Sequence, residues 1–275
     1  PPDGIPPIEN PYYISIAEAD NYLVAEDAVF VAELEAGIYV YPQNIMVWHE
    51  IVNEEINGEK LSITYCPLTG SAIGYYGDFS GGNTDFGTSG KLVNSNLIMY
   101  DRQTESYWSQ ILGQEISGPL AGKKLDRFQL TWTSWINIKT EYEKANILSN
   151  KTGFNRDYSR DPYGAYHTDQ SGNYYTNENL YFNVLSSDDS LEKKDVVIAG
   201  EYKGEHFAVE KELIIQEKEL NFEIAEEKLT AVYEPELDTV RISKDGEELV
   251  VYDVMWFGWH AFYPEFSENL IKNSQ

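Results

Sequence analysis

The strongest constraint on the fold is that the chain repeats itself. VFVAELEAG at 29–37 returns as VVIAGEYKG at 196–204, and INGEKLSITYCP at 56–67 returns as IAEEKLTAVYEP at 224–235. In the second pair Ile56, Glu59, Lys60, Leu61, Tyr65 and Pro67 recur as Ile224, Glu227, Lys228, Leu229, Tyr233 and Pro235. A third match pairs LIMYD at 97–101 with LVVYD at 249–253. Matches in one order at similar spacing predict duplicated supersecondary units, and two copies are too few for a solenoid. Both copies read as strands, because alternating Val, Ile and Tyr suit a pleated, half-buried surface. The expectation is a mainly β fold with a few short helices, built as two related β units in a pseudo-twofold arrangement. Residues 1–26 form an extended Pro-rich arm, 27–190 the first unit with long insertions, and 191–275 the second, all within what could be one compact domain.

Local signals fill in the elements. Ile16 to Tyr22 reads as a short helix. AVFVAEL and GIYVYP read as strands about a turn at Glu35-Ala36-Gly37, and Pro42 opens a helical turn through Ile45. VWHEIVNEEI and EKLSITYC flank Asn57-Gly58, the strongest short-range hairpin signal. GDFSGGNTDFGTSG reads as a Gly-rich loop, and WTSWINIKTEYEKA as a helix. The aromatic stretch that follows is expected to be ordered, since its Tyr and Phe residues have surface to bury.

The hairpin makes a chemical suggestion. A two-residue turn at Asn57-Gly58 sets Glu55 opposite Lys60 and Val52 opposite Ile63. Carried to its end, the same ladder sets His49 opposite Cys66, the only cysteine of 275 residues. Thiol and imidazole can share a soft metal, copper first and zinc second, or form an activated nucleophile. The second copy has Glu217 and Glu234 at these positions, so the scaffold does not need the pair. Pro67 is expected to end the pairing just after the thiol. His260, within WFGWHAF, is a possible third ligand or a packed core histidine. Met46, Met99 and Met255 are read as core residues before thioether ligands.

The motifs DGIPPI, WHEIVN, YCPLTGSA, FGTSGKLVNSNLIMYDRQTESYWSQ and RDYSRDPYGAY resemble the family known as domain of unknown function 3179. The resemblance implies a bacterial or archaeal protein acting outside the cytoplasm, whether secreted, periplasmic or lipid-anchored, and supplies no activity. It also points to Thr69, Gly70, Gly87, Ser89, Gly90, Asp101, Arg102, Ser106, Trp108, Arg156 and Asp157 beside His49, Cys66 and Pro67. Gly87 and Gly90 suggest a tight turn with exposed amides. The start PPDGIPP, without Met, suggests a cleaved precursor.

Charge and composition exclude several classes. With 46 acids against 20 bases the net charge is −26, which argues against nucleic acid as a partner. No apolar run is long enough for a membrane span. HExxH, P-loop, GxGxxG, GxSxG and CxxC motifs are missing from the sequence. The leading expectation is an extracytoplasmic copper-binding protein with a Cys66–His49 site, acting in copper handling or redox chemistry. The rivals are a Cys–His enzyme of the acyl-transfer or hydrolase type, assisted by Ser89, Ser106 or loop amides, and a non-catalytic surface or assembly protein. A small molecule or a metal is the expected ligand.

Self-repulsion among the acids predicts that salt stabilises the fold, since screening acts over about 10 Å at 0.1 M. Thermal melts should rise with NaCl concentration. A flat or falling melting temperature would contradict this.

Overall fold

The computed structural model describes residues 1–79, 82–166 and 172–273. Ser80 and Gly81 of the expected Gly-rich loop lie outside the described residues. Strand makes up 42% of the chain and helix 14%, so the fold is mainly β, with five small sheets in a propeller-like ring.

The repeat is present element by element. Ala28–Leu34, Gly37–Pro42, the helix Gln43–His49, Ile51–Ile56, Glu59–Cys66 and Ser71–Tyr76 form the first copy. Val196–Tyr202, Glu205–Glu210, the helix Lys211–Glu217, Glu219–Ile224, Glu227–Glu234 and Thr239–Lys244 follow in the same order with the same lengths. Each copy contributes to two neighbouring sheets, one holding its first hairpin and the other its last three strands. The sheet built on Phe86–Val93, Asn96–Asp101, Tyr107–Ser109 and Gln114–Ser117 comes from the first copy's insertion.

The third sequence match is not structural. LIMYD ends the inner strand Asn96–Asp101, whereas LVVYD runs into Tyr252–Met255, at the edge of the sheet built on Val196–Tyr202. The true counterpart of that edge strand is Thr131–Ser134, which pairs antiparallel with Ala28–Leu34. Each edge strand leads into a seven-residue helix, Trp135–Glu141 or Trp256–Phe262. The chain then returns as a parallel strand, Asn146–Leu148 beside Gly37–Pro42 or Leu270–Ile271 beside Glu205–Glu210. Different connection lengths hid this part of the repeat.

The hairpin register is as expected: Glu55 pairs with Lys60, Val52 with Ile63 and Ile51 with Thr64. Asn57 and Gly58 both take positive φ, as a primed turn requires. The second copy makes the same turn with Ala225 and Glu226 at φ 50° and 60°, so the strand pattern imposes the hairpin even where no Asn-Gly eases it. The expected loop FGTSG is instead part of the strand Phe86–Val93. Gly90 sits at its bulge, at φ 73°. A Cβ on Gly90 would lie 2.9 Å from the Pro1 carbonyl oxygen, and one on Gly87 would lie 2.5 Å from Asp3. These glycines make room for the N-terminal arm.

A buried polar network joins three of the sheets. The Gln110 side-chain oxygen accepts from Ser71 Oγ at 2.9 Å and Asn96 Nδ2 at 2.7 Å, and Gln110 Nε2 donates to Thr64 Oγ1 at 3.1 Å. Asn96 Nδ2 also donates to Thr69 Oγ1 at 2.9 Å, and the Thr69 carbonyl accepts from Met255 N at 2.8 Å. Buried amides and hydroxyls are tolerated because each is satisfied by another. Gln110→Ala should therefore cost at least about 2 kcal/mol, since several buried groups lose partners together. Urea unfolding measures this; a loss below about 0.5 kcal/mol would show that the network is dispensable.

Candidate functional site

His49 does not face Cys66. The ladder stops at Ile51, because the helical turn expected through Ile45 runs on as the helix Gln43–His49, taking in Val47, Trp48 and His49 where the strand was expected to begin. Glu50 ends that helix in the left-handed region at φ 58°, and its carbonyl accepts from Tyr65 N at 2.7 Å. The turn directs His49 elsewhere. Its Nδ1 donates to the Pro6 carbonyl at 2.7 Å and its Nε2 accepts from the Tyr158 hydroxyl at 2.7 Å. The carbonyl can only accept, so His49 is the neutral Nδ1–H tautomer with both nitrogens occupied. Burial, and then Arg156, lowers its pKa.

The acid whose charge reaches Cys66 is Glu50, whose backbone carbonyl is hydrogen-bonded to Tyr65, the residue before the thiol. Cys66 is 1% exposed, and its thiol points to the Ser95 carbonyl at 3.8 Å. Burial, and next the Glu50 carboxyl, pushes the thiol up to about 11. Burial alone lifts the Glu50 carboxyl to about 8, and no hydrogen bond offsets it. At neutral pH both groups are protonated. Tyr163 lies within electrostatic reach of both, and its hydroxyl has no hydrogen-bond partner among the described residues. Tyr174 is also within electrostatic reach of the thiol, with its hydroxyl donating to the Leu68 carbonyl at 2.6 Å.

Both tyrosines belong to the aromatic cover between Leu148 and Val196, where the described residues form no helix or strand. It holds on through tyrosines. Tyr166 bonds the Tyr65 hydroxyl at 2.8 Å and stacks on Tyr175 at 3.8 Å. The Asp161 carboxylate accepts from Gln43 Nε2 and the Tyr175 hydroxyl, both at 2.8 Å. Lys194 donates to the Asn179 carbonyl at 2.9 Å and lies 3.6 Å over the Tyr174 ring. The second copy has no such cover. Glu217 and Lys218 are exposed and Glu234 is half-buried, at the positions of His49, Glu50 and Cys66. Lys218 keeps the left-handed conformation, so the scaffold sets that backbone and the first copy alone adds the buried acids.

The other singled-out residues serve the frame. Thr69 belongs to the polar network. Ser89 donates to the Ile98 carbonyl at the bulge. Asp101 accepts from Gln103 N, Thr104 N, Ser106 N and Trp108 Nε1; burial opposes its charge, but these bonds outweigh it and hold its pKa below the usual range. Ser106 shares a 2.7 Å hydroxyl contact with Thr104. Arg102 pairs with Asp3 and Glu9, pinning the N-terminal arm. Asp157 caps Ser159, and Arg156 lies 5.9 Å over the Trp48 ring. His260 is a core histidine whose ring nitrogens meet Ser186 and Ser267. Among the described residues no group of three or more His, Cys, Asp or Glu is arranged to hold a metal ion, and no helix is long and apolar enough to cross a membrane.

The model for proteins of unknown function designated DUF3179 matches residues 2–249. The chain belongs to that family. The match takes in the first copy, its aromatic cover and the second copy up to the approach to its edge strand Tyr252–Met255. Neither a curated protein nor a solved structure matches the chain.

Sequence reasoning missed Glu50, Asp161 and Tyr163. Glu50 was open to detection by aligning it with Lys218 as well as comparing His49 with Glu217. Asp161 and Tyr163 lie within a motif of the family, but nothing in the sequence says where an irregular cover folds back.

Glu50 gives a pH signature. Unfolded, its carboxyl titrates near 4.5; folded, near 8. Between those values the folded state holds a proton that the unfolded state lacks. Stability therefore falls as pH rises through the window, by up to about 1.4 kcal/mol per pH unit. Glu50→Gln removes that slope, so the variant should gain on the wild type from pH 5 to 8. Urea unfolding across this range checks it; a constant difference would refute the buried acid.

Proposed function

We propose that the chain is a soft-metal-binding protein acting outside the cytoplasm, with copper the first candidate and zinc the second. Its centre is Cys66 with Glu50, in place of the Cys66–His49 pair. One observation carries this reading: a carboxyl and a thiol are both buried and lie within electrostatic reach of each other, and the carboxyl has no hydrogen-bond partner among the described residues. Such groups are costly to bury without a partner, and a cation that displaces both protons supplies one. The thiolate favours soft or borderline ions over Ca(II) or Mg(II). Two protein ligands leave coordination positions for a water or a small exogenous donor beneath Tyr163. His49 stays outside the coordination sphere and steadies the cover through Tyr158.

The Cys–His enzyme reading has less support. A thiol raised by burial and an imidazole with both nitrogens occupied do not make an activated ion pair. The assembly reading is favoured by one feature, the exposed side chains of Tyr181, Phe182 and Leu185. It predicts concentration-dependent self-association without metal.

Anaerobic titration of the chelator-treated protein with copper tests the proposal. One ion per chain should bind, with release of protons and affinity rising with pH. Cys66→Ser should abolish binding and Glu50→Gln should weaken it at least tenfold, while His49→Ala should leave the stoichiometry unchanged. Unchanged copper stoichiometry in Cys66→Ser would reject the centre.

A further inference from the structure

A second site lies on the outer side of the cover. A cavity of about 550 Å³ opens between the aromatic stretch, the start of the helix Gln43–His49 and the segment around Tyr22. Its walls include Tyr22, Val24, Asn44, Arg160, Asp161 and Tyr166. The size suits a small organic ligand.

Three features of these walls stand out. The first is an exposed cation that makes no close salt bridge among the described residues, although the Asp157 carboxylate lies within reach of its charge. The chain has five arginines among 46 acids, yet Arg160 makes no ion pair with any described residue. Arg102 and Arg241 are both paired with carboxylates, and Arg127 is buried against tyrosine rings. Arg156, also without a carboxylate partner, is on the same segment and adds positive charge near the Trp48 ring. The second feature is Asn44, whose side-chain amide makes no hydrogen bond. Its oxygen is buried without a donor, which leaves the amide nitrogen, unpartnered among the described residues, as the end that can donate to a ligand. The third is Asp161, a carboxylate held in place by Gln43, Tyr175 and the Tyr163 amide. Its neighbour in sequence is Arg160, so opposite charges reach one cavity from adjacent positions.

We infer that this cavity binds a free α-amino acid. Arg160 takes the carboxylate in a fork of two N–H donors, and the Asn44 amide adds a third donor. Asp161 takes the ammonium, and Tyr22, Val24 and Tyr166 pack against the side chain. The lining also holds the Asp27 carboxylate, which accepts from Val24 N at 2.8 Å, so a zwitterion can meet charges of both signs, whereas a simple anion would face two carboxylates and a simple cation would leave Arg160 unpaired. This site is independent of the Cys66–Glu50 centre, although Tyr166 links the two through its hydrogen bond to Tyr65.

Calorimetric titration of the intact chain with free L-amino acids tests the inference. Each is run beside its decarboxylated amine and its N-acetyl derivative, which keep only one of the two charges. At least one amino acid should bind, with both single-charge analogues at least tenfold weaker. Arg160→Ala should weaken that binding at least tenfold, and Asn44→Ala several-fold. Both variants should keep the wild-type melting temperature within a few degrees, since neither side chain makes a hydrogen bond or salt bridge with a described residue. Cys66→Ser should bind the amino acid as tightly as the wild type, which separates this site from the metal centre. Failure of every amino acid to bind the wild type would overturn the proposal. So would single-charge analogues that bind equally well, or an Arg160→Ala variant that binds unchanged.

Discussion

The fold depends on the buried amide and hydroxyl network centred on Gln110. Sheets in a ring meet mainly through side chains, and apolar packing by itself is weakly directional. The network supplies direction. Gln110 and Asn96 come from the inserted sheet, Thr64 and Ser71 from the first copy, and the Thr69 carbonyl receives the chain at Met255. With every member satisfied, the sheets have one low-energy arrangement, and Cys66 is placed at the end of the strand that Thr64 anchors.

That placement explains why chemistry gathers in one copy only. Both copies end their inner helix with a left-handed residue and begin the next strand at the same point. In the second copy the positions around this turn face water, and Glu217, Lys218 and Glu234 suit it. In the first copy the tyrosine-rich cover closes over the turn, and burial converts Glu50 and Cys66 into neutral acids. The same cover turns its outer surface towards the cavity that holds Arg160 and Asp161. One irregular segment thus forms a wall of both sites.

Much of the fold was legible in the sequence. Asn57-Gly58 and the alternation on either side set the hairpin register, and the repeated segments marked the duplicated units. The site was legible only in part. Cys66 stood out because it is unique, but its partner was read by extending a ladder past its last pair. The error came from Val47, Trp48 and His49, read as the start of the strand although the helical turn expected from Pro42 through Ile45 continues to His49. Once a helix precedes Ile51, the left-handed residue at 50 sets which charge reaches the thiol, and that residue is Glu50. The packing of the cover was not legible, because it is fixed by tyrosine contacts between distant segments and not by any local period.

The central claim is that Glu50 is a protonated acid within electrostatic reach of the Cys66 thiol, held ready for a cation. Infrared difference spectroscopy of wild type against Glu50→Gln at pH 7 tests it directly. The account predicts a protonated-carboxyl carbonyl band present only in the wild type, lost when copper is added. A spectrum in which Glu50 contributes only ionised carboxylate bands at pH 7, with or without copper, would contradict it.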